Sequence, residues 1–207
     1  MIKLFLTRHG QTQWNEEGRL QGSKDSNLTS LGIKQAELLK ERLADERIDI
    51  IYSSPLIRAY KTAEVISSNR DLDIITDKNF KEINFGDWEG LKHDEITSPQ
   101  YEIFWNKPHL YKPSTGESFK DFKKRILSSL NNIIKNHDNK NVLIVAHAVV
   151  VKQILNYFEN RPLEKFWDPP FMHSTNLSLI EIEDENVAEI KLYADTSHLE
   201  TLKAANS

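Results

Sequence analysis

An arginine and a histidine stand side by side at the end of an apolar run, Leu4-Phe5-Leu6-Thr7-Arg8-His9-Gly10-Gln11-Thr12. An imidazole nitrogen can attack phosphorus, and an adjacent guanidinium can fork onto phosphate oxygens. The pair therefore suits a nucleophile that works on anions. Gly10 is expected to let the backbone come close to the ligand. A second histidine, His147, follows another apolar run, Asn141 to Ala146.

The hydrophobic pattern predicts the elements that must bring such groups together. Ile2 to Thr7 reads as a buried strand. Thr29 is an N-cap for a helix from about Ser30 to Ala44, with Ile33, Ala36, Leu39 and Leu43 on one face. Asp49 to Ser53 reads as a second strand, running into Ser54 as N-cap and Pro55 as first helical residue of a helix ending near Ser67. Asp73 to Thr76 is a third apolar run. Ser118 with Asp121 forms a capping box for a long helix whose stripe is Phe119, Phe122, Ile126, Leu130 and Ile133. Asn141 to Ala146 is a further strand, and Val150, Ile154, Leu155 and Phe158 mark the helix after it. Asn176 to Ile182 and Val187 to Tyr193 alternate like a hairpin around Asp184-Glu185-Asn186. Between Gly86 and Glu117 the pattern turns irregular and aromatic, with Trp88, Tyr101, Phe104, Trp105 and Tyr111.

Strands alternating with helices predict an α/β sandwich on a mostly parallel sheet, where ligands gather beyond the carboxyl ends of the strands. Arg8 and His9, the Ser53-Ser54 helix start and His147 all fall at such ends. The chemistry-bearing residues are thus expected to converge.

Composition narrows the function. The 207 residues form a single domain, 1–207, without repeats or low-complexity tracts. A net charge of −4 gives no electrostatic case for nucleic acid or an anionic membrane, so an anion site must be a local concentration of positive charge. There is no cysteine, which excludes disulfides, thiolate metal sites and cysteine nucleophiles. No leader or membrane-length apolar run is evident, so a cytoplasmic enzyme is expected. Neither a nucleotide-binding glycine loop ending in lysine nor a carboxylate–histidine cluster with metal-ligand spacing is present.

The chain resembles the phosphoglycerate mutase-like branch of the histidine phosphatase superfamily. The resemblance rests on short motifs in order along nearly the whole sequence: Arg8-His9-Gly10-Gln11-Thr12, Trp14-Asn15, Gln21-Gly22, Leu28 to Gly32, Ser53 to Ala59, Glu82 to Gly86, Gly116-Glu117-Ser118 and Ala146-His147. It implies a three-layer α/β/α sandwich with a mostly parallel central sheet and an antiparallel edge, a metal-free site that needs no cofactor, and a phosphohistidine intermediate. It makes His9 the nucleophile and gives the phosphoryl oxygens to Arg8, Arg58 and His147, with a hydrogen bond from Asn15. Gln21 and Gly22 join the phosphate-binding set, and Glu82 becomes the proton donor to the leaving oxygen.

These roles agree with the chemistry, because phosphoryl transfer is mostly positioning and charge stabilisation. Glu82 should have a pKa raised by partial burial, whereas His9 must be neutral at one ring nitrogen. Arg58 is expected on the fourth residue of a helix that starts at Pro55, whose free N–H groups would strengthen the anion site. In one departure from the family, Ala148 stands where a glycine is usual and adds a methyl to the pocket. His93, His109, His137, His173 and His198 have no ligand-like spacing and are expected at the surface or the substrate rim.

The expected function is a metal-independent phosphomonoesterase acting on a small phosphorylated metabolite; the alternative is a cofactor-dependent phosphoglycerate mutase. The compact chain and the aromatic stretch from Trp88 to Tyr111, with Lys92 and Lys107 as its cations, favour an ester with an apolar or aromatic leaving group. That stretch belongs to a substrate-capping insertion at about 86–117. A silent phospho-ligand binder would need a broken site, and Arg8, His9, Arg58, Glu82 and His147 are all present. The partner is a small phosphorylated substrate, with no nucleic acid and no membrane. The final hairpin leaves a sheet edge that could pair across a homodimer.

Overall fold

Apolar side chains on both faces of the central strands decide the architecture, because such strands must be covered on both sides. In the computed structural model, which describes residues 1–184, 187–200 and 202, the chain begins with strand β1 (Ile2–Arg8), a short helix α1 (Gln13–Glu16) and helix α2 (Ser30–Arg42). Strand β2 (Ile50–Ser53), helix α3 (Ile57–Ser67) and strand β3 (Ile74–Thr76) follow. After α4 (Pro99–Asn106) and α5 (Phe119–Asn136) come β4 (Asn141–Ala146), α6 (Ala148–Phe158) and the pair β5 (Leu177–Asp184) and β6 (Val187–Asp195).

The six strands lie in the order β3-β2-β4-β1-β5-β6. The first four are parallel, and β5 and β6 extend the sheet antiparallel. The hairpin is as expected; its turn residues Glu185 and Asn186 lie outside the described residues. On one face, Phe5, Ile51, Leu143 and Val145 pack against Leu39 of α2 and Ala59, Ala63 and Ile66 of α3. On the other, Leu4, Leu6, Val142 and Ile144 meet Phe122 and Ile126 of α5 and Val150 and Ile154 of α6. These are the three layers. Each fully buried Leu, Ile, Val or Phe contributes roughly 1.5–3 kcal/mol relative to exposure. Among the described residues, no helix is long and apolar enough to cross a membrane.

Two expectations change. Helix α3 starts at Ile57 rather than Pro55, and Arg58 is its second residue, not its fourth. Ser54 does not cap it: the Ser54 hydroxyl takes the N–H of Leu56, ahead of the helix, while Asp25 accepts the N–H groups of Ile57 and Arg58. The helix N-terminus is therefore occupied by a carboxylate of this chain and adds no free N–H to the anion site. The aromatic stretch also behaves differently from its reading as leaving-group contact. Trp88, Phe104 and Tyr111 are buried in the core, with Phe104 at the centre of ring contacts to Phe85, Trp88, Tyr111, Phe119 and Trp167. Only part of that segment reaches the cavity described next.

Candidate active site

Strands β1, β4 and β2 are adjacent and parallel, so Arg8-His9, His147 and Ser53-Ser54 emerge at one edge of the sheet. Two backbone bonds carry the pairing past the strand ends, His9 N to the Ala146 carbonyl and Ser54 N to the Val145 carbonyl, both at 3.0 Å. The edge opens on a cavity of about 390 Å³ lined by Arg8, His9, Asn15, Gln21, Gly22, Arg58 and Glu82. Phe85, Trp105, Val149, Trp167, Phe171 and Met172 supply apolar lining, with Arg19, His93 and Lys152 also among the residues that border it.

His9 is 3% exposed, and its Nδ1 lies 2.7 Å from the Gly10 carbonyl. A carbonyl only accepts, so the ring proton is on Nδ1 and the lone pair on Nε2. The partner of Nε2 agrees, because the Arg58 Nε–H donates to it at 3.2 Å. Burial, followed by the charges of Arg58 and Arg8, holds the His9 pKa well below 6.5. The imidazole is neutral, with its reactive nitrogen at the cavity.

His147 packs against His9 edge-on, with ring centroids 5.2 Å apart. Its Nε2 meets the Ser54 hydroxyl at 2.8 Å, while its buried Nδ1 has no partner. Burial first, then Arg58 and His9, push its pKa well below 6.5. Arg8 donates from Nη1 to the Met172 carbonyl at 2.8 Å, and its buried Nε is likewise unpaired. Burial, only partly offset by Glu82, brings the Arg8 pKa down to about 10, which leaves it cationic near neutral pH. Arg8 lines the cavity, whereas His147 is fully buried against His9 and is not part of the lining; a buried nitrogen without a partner is costly in either place.

Arg58 is 1% exposed and held on three sides. Nη1 donates to the Lys24 carbonyl at 2.7 Å and to Asp25 Oδ1 at 2.9 Å, and Nη2 donates to the Gly22 carbonyl at 2.8 Å. Glu82 accepts from Ile83 N at 3.0 Å and Val149 N at 3.2 Å. Burial nevertheless dominates those bonds and the nearby arginines, and its pKa is raised above 4.5, in the direction expected of an acid catalyst. Arg125 of α5 holds the Glu82 segment from behind, donating to the carbonyls of Lys81 at 2.7 Å and Glu82 at 3.0 Å, and it forks onto Glu117 at 2.7 and 2.8 Å. The Gly116-Glu117-Ser118 motif thereby acquires a physical reason.

The remaining residues of the expected set serve partly different ends. The Asn15 carboxamide oxygen accepts from Thr12 N and Oγ1, both at 3.1 Å, which leaves its NH₂ as the donor on offer. Gln21 is engaged at both ends of its amide, donating to Thr12 Oγ1 at 2.8 Å and accepting from Ser26 Oγ at 3.1 Å. Gly22 has a φ of +57°, its carbonyl receives Arg58, and a Cβ there would collide with Glu89. It supports the arginine. Gly10 is small for a different reason than expected, since a Cβ there would strike the Gly32 carbonyl of α2 rather than a ligand. The Ala148 methyl does border the cavity. His93 sits at the cavity rim, and His109 and His173 are exposed. His137 and His198 depart from the surface expectation, being half-buried away from the cavity, with His137 against the Tyr52 hydroxyl at 2.8 Å.

Four residues escaped the sequence reading. Asp25 braces Arg58. Glu89, 7% exposed, accepts from Ser23 N at 2.8 Å, Lys24 N at 3.2 Å and Phe85 N at 3.1 Å, tying the loop that holds Arg58 to the segment of Glu82. Arg125 is the third, and Lys152 of α6, 3% exposed at the cavity wall, is the fourth. Lys152 alone had a visible signal: it is a lone charge in the apolar run Ala148 to Leu155.

A parallel core with its ionisable groups at one carboxyl edge and an antiparallel extension places the chain in the class of phosphoglycerate mutase-like α/β proteins. The structure of Bacillus stearothermophilus YhfR superimposes with a TM-score of 0.93 at 40% identity, covering 96% of this chain and 100% of that one. Phosphoserine phosphatase from Entamoeba histolytica, solved with 3-phosphoglyceric acid, gives a TM-score of 0.85 at 31% identity over 96% of this chain and 100% of its own. In sequence, putative phosphoserine phosphatase 2 of Hydrogenobacter thermophilus is 36% identical over 196 residues, 93% of this chain and 95% of the relative. The model of the histidine phosphatase superfamily (branch 1) matches residues 4–196, and the chain belongs to that superfamily.

Proposed function

We propose that the protein is a metal-independent phosphomonoesterase that passes the phosphoryl group of a small phosphorylated metabolite through His9. The observation that carries this reading is the His9 Nε2 lone pair at a cavity lined by Arg8, Arg58 and Glu82, with the buried Arg8 Nε unpartnered and, on the ring packed against His9, the His147 Nδ1 unpartnered as well. Phosphoryl oxygens would satisfy both.

In the first step, His9 Nε2 forms a bond to phosphorus as the ester P–O bond breaks. The proton on Glu82 passes to the leaving oxygen. Nδ1–H stays on the Gly10 carbonyl, which offsets charge that builds on the ring. The Arg58 Nε–H, relieved of the lone pair it now meets, turns to a phosphoryl oxygen alongside Arg8, His147 and the Asn15 amide. In the second step the Glu82 carboxylate takes a proton from water, whose oxygen attacks phosphorus. Inorganic phosphate departs and neutral His9 returns.

The leaving group would lie along the apolar wall of Trp105, Trp167 and Phe171, under a cap made by the 86–117 insertion. This favours esters with an apolar or aromatic body. Relatives named phosphoserine phosphatase are consistent with hydrolysis of a small metabolite ester.

Hydrolysis of 4-nitrophenyl phosphate in the presence of a chelator, with the wild type beside His9→Ala, tests the reading. Turnover that drops at least about a thousand-fold in the variant is the expected result. Turnover that survives in the variant removes His9 as nucleophile, and loss of wild-type turnover to the chelator removes the metal-independent mechanism. A wild type inactive on aryl esters yet active on phosphoglycerate with its bisphosphate would instead be a mutase.

A further inference from the structure

The cavity lining also holds a cation that the proposed mechanism does not use, Lys152. Lys152 lies on α6 four residues after Ala148, one helical turn or about 6 Å along the axis. Both residues line the same cavity. Helical side chains lean toward the N-terminus, which for α6 is the end that meets His147 and Glu82.

The ammonium of Lys152 donates to two backbone carbonyls, those of Asp168 and, at 3.0 Å, Pro170. Carbonyls orient an ammonium but do not neutralise it, and a lysine has three N–H donors. One donor remains. Among the described residues, no carboxylate comes within ion-pair distance of it. Glu159, which influences it from a distance, is already paired with Arg161 at 2.8 Å and bonded by the Tyr193 hydroxyl at 2.8 Å. A lysine this buried and without an ion-pair partner is uncommon. Burial, and next the charge of Arg161, draw its pKa down to about 8 against the opposing pull of Glu159 and Asp168. Near neutral pH it is a cation held at a cost that an incoming anion would relieve.

Taking the cavity as the leaving-group site of the proposed phosphatase, we propose that Lys152 forms a second anion subsite that selects esters whose apolar body carries a carboxylate beyond the phosphate. The Trp105 and Trp167 wall takes the body, the Arg8–His9 end takes the phosphate, and the third N–H of Lys152 takes the carboxylate. A charge-assisted bond of this kind is expected to change affinity about tenfold or more.

Non-hydrolysable probes separate this subsite from the catalytic reading, because they bind whether or not the protein turns over. The dissociation constants of phenylphosphonate and of its 3- and 4-carboxy derivatives would be measured by calorimetry on the wild type, Lys152→Met and Lys152→Arg. The wild type is expected to prefer at least one carboxylated probe about tenfold or more, Lys152→Met to lose that ratio, and Lys152→Arg to keep most of it. A ratio near one in the wild type overturns the subsite. So does a ratio that survives in Lys152→Met. General damage to the roof would weaken all three probes together and leave the ratio intact, which also counts against it. Failure of the chelator experiment would sink the phosphatase mechanism without changing these ratios.

Discussion

At the residue scale, opposite pKa displacements divide the work. Burial holds the His9 pKa well below its ordinary 6.5 and raises that of Glu82 above its ordinary 4.5. The proposed mechanism needs the first deprotonated and the second protonated, so each shift widens the window in which both hold. kcat/KM should therefore pass through a maximum on the acidic side of neutral, falling on the alkaline side as Glu82 ionises. Glu82→Gln should abolish that alkaline limb for esters with poor leaving groups, at a cost of about a hundredfold or more in rate. A rate that climbs steadily to alkaline pH in the wild type would contradict the assignment of Glu82. His9, Arg8 and His147 were legible in the sequence because each sits at the end of an apolar strand, where periodicity alone places it. Lys152 was harder to read, since its partners are backbone carbonyls of Asp168 and Pro170 and no side-chain pattern records them.

At the scale of elements, the start of α3 shows why a local signal can mislead. Ser54-Pro55 has the chemistry of an N-cap followed by a first helical residue, yet Asp25, far away in sequence, takes the two N–H groups of Ile57 and Arg58. A tertiary carboxylate displaced the local hydroxyl. The same residue pairs with the Arg58 guanidinium, so one side chain sets both the helix start and the orientation of the cation. Asp25→Ala should cost about 1 kcal/mol in stability, as loss of a cap does. It should also lower kcat/KM for 4-nitrophenyl phosphate about tenfold or more. Urea unfolding and steady-state kinetics on the same preparation check both, and unchanged kinetics would mean that the Lys24 and Gly22 carbonyls alone fix the guanidinium. The aromatic residues carry a parallel lesson. Trp88, Phe104 and Tyr111 cannot be told from Trp105 by composition, because aromatic side chains serve cores and ligand walls alike. Only the folded structure separates them, burying the first group in the core and leaving Trp105 partly exposed at the cavity.

For the whole molecule, the alternation of strands and helices, with the hairpin pattern of the last two strands, sufficed to foresee the sheet, its antiparallel end and the edge where the candidate residues gather. The site also imposes a pH dependence on the fold. His9 and His147 have folded pKa values well below 6.5, whereas the unfolded chain takes up protons on both near that pH. Their stabilising effect is full above 6.5 and declines as the medium is acidified. Glu82 acts in the opposite sense, because its raised pKa lets the folded state hold a proton that the unfolded chain gives up near 4.5; that benefit is lost as pH rises through its folded pKa. Two histidines against one carboxyl leave a net loss toward acid, about 1.4 kcal/mol per pH unit for each net proton. The urea midpoint should fall between pH 7.5 and 5.5, and less steeply in His9→Gln. A flat or rising midpoint in the wild type would mean that the imidazoles are not held neutral.

The Met172 carbonyl that receives Arg8 lies just beyond the carbonyls that receive Lys152, in a single short stretch from Asp168 to Met172. One piece of backbone therefore serves as the backing plate of both cations, and Phe171, which lines the cavity, stands within it. Under the proposed two-ended binding, the two halves of a substrate would not be recognised as independent fragments. Filling either end would act on a support that the other shares, so under that proposal their binding energies should not sum. In the proposed reaction that shared support would also make departure of the organic product a loosening event for the phosphate left behind.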